Sequence, residues 1–295
     1  MTPRLGPRSR RSWLFVPGAD AAAHEAAARS GADVLIQELE DFTPPERRPE
    51  ARARAAVLYD RWRKAGKVAA VRINPLEGDG VADLRAVLAG RPDIVMMSKV
   101  ATPDQVRALA LAVKDAELVP NIESAAGLLR AFDIAKASPR VTAMLVASED
   151  MVADLGTDRS RGGEELAYVR QRFLVECRAA GVEAIDCPYT FSDVRGAVAD
   201  SKWARRMGFK AKSLVTPAHA AAINAVFSVS ETDRKRAERL VLAFEKARRE
   251  GKGRAKVDGK LVEVPIYSAA KRLLQEHARR VGASASNTPP PKRKK

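Results

Sequence analysis

The sequence predicts an α/β protein, a closed (β/α)8 TIM barrel with a C-terminal helix-hairpin-helix lid extension, on three observations. Strand-like apolar runs alternate with helix-like amphipathic stretches along most of the 295 residues, the pattern that a parallel sheet with crossover helices imposes. The alternation occurs eight times, which favours closure into a barrel over an open doubly wound sheet. The glycine-rich fingerprints of nucleotide-binding sheets are missing: VPGAD after the first run is not GxGxxG, and no GxxxxGK[ST] occurs.

The first strand is SWLFVPG (12–18), followed by an Ala-rich helix to Ser30. VLIQELED (34–41) precedes a helix from about Glu46 to Ala65. KVAAVRIN (67–74), DIVMMSKV (93–100), ELVPNIES (117–124), VTAMLVAS (141–148), EAIDCP (183–188) and AKSLVTP (211–217) follow, each leading into a helical stretch. Beyond the eighth unit, residues 231–251 read as a charged amphipathic helix, and GKGRAKVDGKLVEVP reads as a hairpin on its DG turn. A last helix is expected over about 266–280. The resulting division is a disordered basic N-terminus (1–11), the barrel (12–230), a lid or oligomerisation segment (231–280) and a disordered basic tail (281–295). SASNTPPPKRKK has no apolar residue beyond Ala, and its three prolines exclude helix and sheet.

The composition is globular, 46% hydrophobic and 30% charged. The formal charge of +15 is concentrated in the two ends and in residues 234–256, which carry ten basic and three acidic side chains, so the rest is formally neutral. These basic tracts lack interleaved aromatics, which argues against a nucleic-acid-binding function. Two cysteines, Cys177 and Cys187, without CxxC or zinc spacing, argue against a disulfide framework and a thiolate metal site. A reducing cytoplasm is the expected compartment. Without a secretory h-region or a run of about 18 apolar residues, a soluble protein is expected, not a membrane one.

In a parallel barrel the reactive groups gather at the C-terminal ends of the strands. Those ends carry Glu40 and Asp41, Arg72 and Asn74, Lys99, Glu123, Glu149 and Asp150, and Asp186. One polar strand end is ordinarily a helix cap or a solvated turn, but six of them suggest a ring of carboxylates and cations around one mouth. Carboxylates from strands five and six, completed by water, suit Mg²⁺, which prefers oxygen ligands and takes few from protein. A cation facing Arg72 would suit a substrate with a carboxylate beside a carbonyl or hydroxyl oxygen, which arginine grips through two N–H groups. Such a site makes or breaks a carbon–carbon bond through an enolate. Paired histidines and nucleophile motifs are absent: His24, His219 and His277 are unpaired, and no GxSxG occurs.

RSWLFVPG, GADVLIQELED, VRIN, the KV after strand four, NIESAAGLL, ASEDMVADLG, LAYVRQR and VDGKLVEVPIYSAAKRLL occur in order from about Ser12 to Leu274. Through them the chain resembles the citrate lyase β-subunit-like group of the HpcH/HpaI aldolase superfamily, which includes the malyl-CoA and citramalyl-CoA lyases. The resemblance implies trimers or hexamers and Mg²⁺, with Mn²⁺ as the alternative, held by Glu123 and Asp150. It implies Arg72 on the substrate carboxylate or carbonyl, Glu40 and Asp41 around the metal's waters, and Lys99 and Glu123 close to the substrate. Arg48, at the place of a basic residue after the LED motif, would face the CoA phosphates.

The chain departs from the family pattern in several places. Gln37 and Glu38 replace the LDLED lead-in, Ala147 and Ser148 a GA pair, and VTPAH the IHPAQ of strand eight. Glu263 stands where the CoA-ester lyases carry an aspartate acid/base in DGKMID, delivered from a neighbouring subunit. The implied activity is Mg²⁺-dependent cleavage of a short β-hydroxyacyl-CoA, such as malyl-CoA or citramalyl-CoA, into an acyl-CoA and a 2-oxo acid, or its reverse. The alternatives are a catalytically silent CoA-ester-binding paralogue and a free-acid aldolase of the same superfamily.

Overall fold

The computed structural model describes residues 10–285 and divides into two compact units, residues 10–227 and 228–285. The first unit consists of β1 (Ser12–Pro17), α1 (Ala21–Arg29), β2 (Val34–Glu38), α2 (Arg48–Lys64), β3 (Val68–Ile73), α3 (Gly80–Val87), β4 (Ile94–Met97), α4 (Pro103–Ala112), β5 (Glu117–Ile122), α5 (Ala125–Leu128), α6 (Ala131–Lys136), β6 (Ala143–Val146), α7 (Glu149–Asp154), α8 (Ala167–Ala180), β7 (Glu183–Asp186), α9 (Val194–Met207), β8 (Ala211–Leu214) and α10 (Ala220–Phe227). The eight strands pair in sequence order, and β8 returns to β1 to close the barrel. Every pairing in it is parallel.

Because side chains alternate across a strand, the barrel has two apolar faces. Leu14, Leu35 and Ala69 are register partners on the outer face and belong to the core shared with the helices. Phe15, Ile36, Ala70 and Ile94 are register partners on the inner face, and Glu38, Arg72 and Met96 lie one layer nearer the C-terminal end. A burial pattern this continuous is what makes all eight runs read as unbroken apolar stretches.

The alternation also corrects one expectation. Asp186 is not part of the mouth; it pairs in register with Lys212, Lys212 Nζ donates to it at 2.6 Å, and Arg170 from α8 holds it through two bonds of 2.8 and 2.7 Å. Asp200 of α9 completes this cluster on Arg170 and Lys212, and Trp203 stacks on Arg170 with the guanidinium 4.2 Å from the ring centroid. Four charges buried together are tolerable only when each is paired in this way.

Two residues ahead of β1 are held by the barrel. Arg10 is buried and donates both Nη groups to the carboxylate of Glu117 at 2.8 Å, and Arg11 forms a fork on Asp33 at 2.9 and 2.8 Å. These two residues are therefore structural parts of the fold. The remaining N-terminal residues and the end of the tail lie outside the described residues.

The second unit consists of α11 (Glu231–Arg249), β9 (Ala255–Val257), β10 (Lys260–Val262) and α12 (Val264–Ala285). A capping box between Ser230 and Asp233 starts α11. The hairpin turns on Asp258 and Gly259, both left-handed at φ 49° and 77°, the backbone a type I′ turn requires. Tyr267 of α12 stacks on Phe244 of α11, ring centroids 4.6 Å apart, and its hydroxyl donates to Glu245 at 3.1 Å. The last helix begins earlier and runs further than expected, so residues 281–285 continue α12. Among the described residues no helix is long and apolar enough to cross a membrane.

Candidate active site

Arg72 is the centre of the mouth. It ends β3 on the inner face, 6% exposed, and its guanidinium is gripped on all sides. Nε donates to Glu38 Oε1 at 2.9 Å, Nη2 lies 3.1 Å from Glu40 Oε2, and Nη1 lies 3.5 Å from Glu123 Oε1. Its face is covered by Phe15, with the ring centroid 4.9 Å from Cζ, and by Phe42 at 6.0 Å. Burial works against its charge, but Glu38, Glu123 and Glu40 outweigh it and hold its pKa above the ordinary arginine value.

Lys99 follows β4 in a left-handed conformation, φ 54°, which a non-glycine residue adopts at some cost and which concentrates at functional sites. The conformation lets its ammonium reach Glu40 and come within 3.6 Å of Asp41. Glu40 feels opposing influences. Burial raises its pKa, Arg72 and Lys99 pull it down, and Asp41 adds to the rise, leaving it above the ordinary carboxylate value. For Lys99, burial works against the charge, but Glu40 outweighs it and raises its pKa.

Glu123 immediately follows β5 and is 3% exposed. Both of its carboxylate oxygens are buried without a hydrogen-bond partner. Burial pushes its pKa up to about 8; Arg72 opposes this, while Asp150 and Glu40 add to it. A buried carboxyl with two orphaned oxygens beside further carboxylates is a site short of positive charge. Asp150 enters from the first turn of α7. Its neighbour Glu149 also lines the cavity and accepts from Thr190 Oγ1 at 2.8 Å. Glu123 and Asp150 thus fit a hard cation that takes two protein oxygens and water. Among the described residues no group of three or more His, Cys, Asp or Glu is placed to hold a metal.

Above these groups is a cavity of about 110 Å³ lined by Phe15, Phe42, Arg72, Ala147, Asp150 and Pro188, among others. At about 30 Å³ per water, it has room for a few waters or the core of a small acid. Asn121, two residues before Glu123 on the same face of β5, is fully buried and has neither amide atom hydrogen-bonded.

The structure thus brings together Glu40, Asp41, Arg72, Lys99, Glu123 and Asp150. It differs from expectation at Arg48, whose guanidinium is committed within the chain. Nη1 donates to Asp79 at 2.7 Å, and the other nitrogens donate to the carbonyls of Thr43 and Glu40 at 3.3 and 3.4 Å. Arg48 therefore clamps the loop after β2. Glu263 is exposed in the second unit, immediately before α12. Sequence reasoning missed Glu38 as Arg72's partner and the two rings, Phe15 and Phe42, that pack beside it. The signal for Glu38 was present, since it lies two residues before Glu40 and so on the same face of the chain.

Residues 11–217 match the family model for HpcH/HpaI aldolase/citrate lyase. Citrate lyase subunit beta of Escherichia coli (strain K12) is 33% identical over 282 residues, 90% of this chain and 93% of that protein. A (3S)-malyl-CoA thioesterase of Cereibacter sphaeroides (strain ATCC 17029 / ATH 2.4.9) is 34% identical over 271 residues, covering 91% of this chain and 95% of the relative. Among solved structures, CitE from Mycobacterium tuberculosis in complex with magnesium, acetoacetate and coenzyme A superposes with a TM-score of 0.74 at 27% identity, covering 92% of this chain and 99% of that one. With the barrel, the mouth and these relatives in agreement, the chain belongs to the HpcH/HpaI aldolase/citrate lyase family.

Proposed function

We propose that the protein is a Mg²⁺-dependent carbon–carbon lyase that cleaves a short β-hydroxyacyl-CoA, such as malyl-CoA or citramalyl-CoA, into an acyl-CoA and a 2-oxo acid. The observation that carries the reading is Glu123, a buried carboxyl with two orphaned oxygens within reach of Arg72 at the C-terminal mouth of the barrel. Relatives named for malyl-CoA, and solved relatives holding magnesium with oxaloacetate or pyruvate, support the substrate class.

Glu123 and Asp150 would hold the cation. When bound, Mg²⁺ would acidify the hydroxyl next to the substrate carboxylate, whose proton leaves to solvent as that oxygen becomes the 2-oxo carbonyl and the electrons of the broken carbon–carbon bond pass to the acyl-CoA as its enolate. Arg72 would receive the carboxylate on its Nη edge, its plane fixed by Phe15 and Phe42. Glu40 and Asp41 keep the Lys99 ammonium at the rim. Glu263 would give the proton to the acyl α-carbon, supplied by a second copy of the chain in a trimer or hexamer. Assaying both thioesters with Mg²⁺ and with chelator, and identifying the products, tests the reading: a 2-oxo acid with acyl-CoA supports it. Hydrolysis to free CoA would favour the second reading, a thioesterase, for which the Cereibacter sphaeroides relative is named.

Because Glu123 is held at about 8 without metal, Mg²⁺ must displace its proton. Binding at neutral pH is expected to release nearly one proton, and the apparent affinity to rise about tenfold per pH unit up to that value and then level off. Calorimetry in buffers of different ionisation enthalpy counts the proton, and an affinity flat with pH would remove Glu123 from the site.

Glu263→Gln is expected to slow cleavage by about a hundredfold with Mg²⁺ affinity unchanged. Mixing inactive Glu263→Gln and Asp150→Ala chains should restore part of the activity, because one mouth in the mixed oligomer then has both groups intact. If no activity returns, Glu263 does not act across copies.

A further inference from the structure

We infer that Glu38 is a positioning residue that sets which edge of Arg72 faces the cavity and holds the turn carrying Glu40 and Asp41. The substrate part of this inference rests on the proposed role of Arg72; the geometric part does not. Glu38 is fully buried and is the register partner of Arg72 across β2 and β3, so the two side chains share the inner face. Its carboxylate does three things. Oε1 accepts from Arg72 Nε at 2.9 Å and from the backbone N–H of Glu40 at 2.7 Å. Oε2 accepts from the backbone N–H of Phe42 at 2.6 Å.

The consequence follows from the guanidinium's shape, a rigid plane with five N–H donors. With Nε–H fixed on Glu38, the plane can rotate only by breaking a charge-assisted bond, and the Nη1/Nη2 edge is left for Glu40, Glu123 and the cavity. The same carboxylate ties down the backbone on both sides of Asp41, and with it Phe42, whose ring covers Arg72. The turn is braced from outside by Thr43, whose hydroxyl donates to the Glu38 carbonyl at 2.5 Å and accepts from Gly18 N–H at 2.8 Å. A Cβ on Gly18 would overlap the Glu38 carbonyl oxygen, so glycine is required for that approach.

Chain length matters here. An aspartate would carry the same charge one methylene short, and it could keep the backbone bonds or the Arg72 bond but not all three. A glutamine would place an amide N–H₂ against Arg72 Nε–H or against a backbone N–H, donor facing donor. The length of the Glu38 side chain is therefore matched to the Arg72 position seen here.

The test uses the full-length protein labelled with ¹⁵N. The Arg72 Nε–H resonance, identified by its loss in Arg72→Lys, is expected to exchange slowly with water in the wild type, quickly in Glu38→Gln, and at an intermediate rate in Glu38→Asp. Titration with oxaloacetate at saturating Mg²⁺ is expected to show binding about 10- to 100-fold weaker in Glu38→Gln, with affinity for Mg²⁺ alone unchanged within about twofold. Should the Gln variant fail to fold, Glu38→Asp carries both measurements. An unchanged Nε–H exchange rate, or parallel losses of Mg²⁺ and oxaloacetate affinity, would overturn the inference, the second by showing a general structural role. If the wild type binds no oxaloacetate, the functional reading fails, and the exchange rates still decide the role of Glu38.

Discussion

Glu123→Ala and Asp150→Ala are each expected to lower turnover by on the order of 10⁴-fold while the barrel stays folded, since each removes one of two protein oxygens for a cation supplying several kcal/mol. The two variants should nevertheless differ in stability. Glu123 is lifted from 4.5 to about 8, so the native metal-free protein holds that proton more tightly than the unfolded chain does. Its contribution is favourable at low pH, falls as pH climbs through this interval, and is exhausted above it. Glu123→Ala removes that slope, and its melting temperature, relative to the metal-free wild type, should improve as pH rises. Thermal melts across this range with chelator present, together with thioester turnover, check both parts. Near-normal turnover in either variant would overturn the metal assignment, and a wild-type melting curve that does not respond to pH would contradict the buried, uncompensated carboxyl.

The barrel was legible because each of its βα units repeats one pattern, and closure follows from the count. The mouth was legible where strand ends carry polar residues, but a list of strand ends does not say which way each side chain points. Asp186 shows the difference: by period two, Ile185 faces inward and Asp186 faces the helices, where Arg170 and Lys212 neutralise it. Arg48 is a different case. Its partner Asp79 lies 31 residues away in sequence, and no local pattern announces such a pairing. Glu38 stands out in the sequence only as a departure from the family's lead-in, yet its role depends on register with β3, which only the folded sheet defines. Glu263 is a case in which sequence and a single chain stop at the same place, since the proposed partner of its carboxyl is another copy.

Arg72→Lys is the stricter test of the mouth, because it preserves the charge and removes only the geometry. The ammonium would sit on a shorter, flexible stem among Glu38, Glu40 and Glu123, and it would collapse onto whichever carboxylate it reaches first. It could not keep the Glu38 bond and also present two parallel N–H groups to a substrate carboxylate, as the guanidinium fork does. It would also lose the flat face that lies against Phe15 at 4.9 Å, and with it the stacking that fixes the plane. The expected result is a fall in kcat/KM of about 10²- to 10³-fold, because both the binding of the carboxylate and its alignment with the reacting bond are lost. Mg²⁺ affinity should hold or improve slightly, since a lysine competes less well for Glu123. Steady-state kinetics with malyl-CoA and Mg²⁺ titration of the same preparation measure the two effects. Unchanged kcat and KM would remove Arg72 from the substrate site, whereas loss of Mg²⁺ affinity together with activity would make it a support of the metal carboxylates instead.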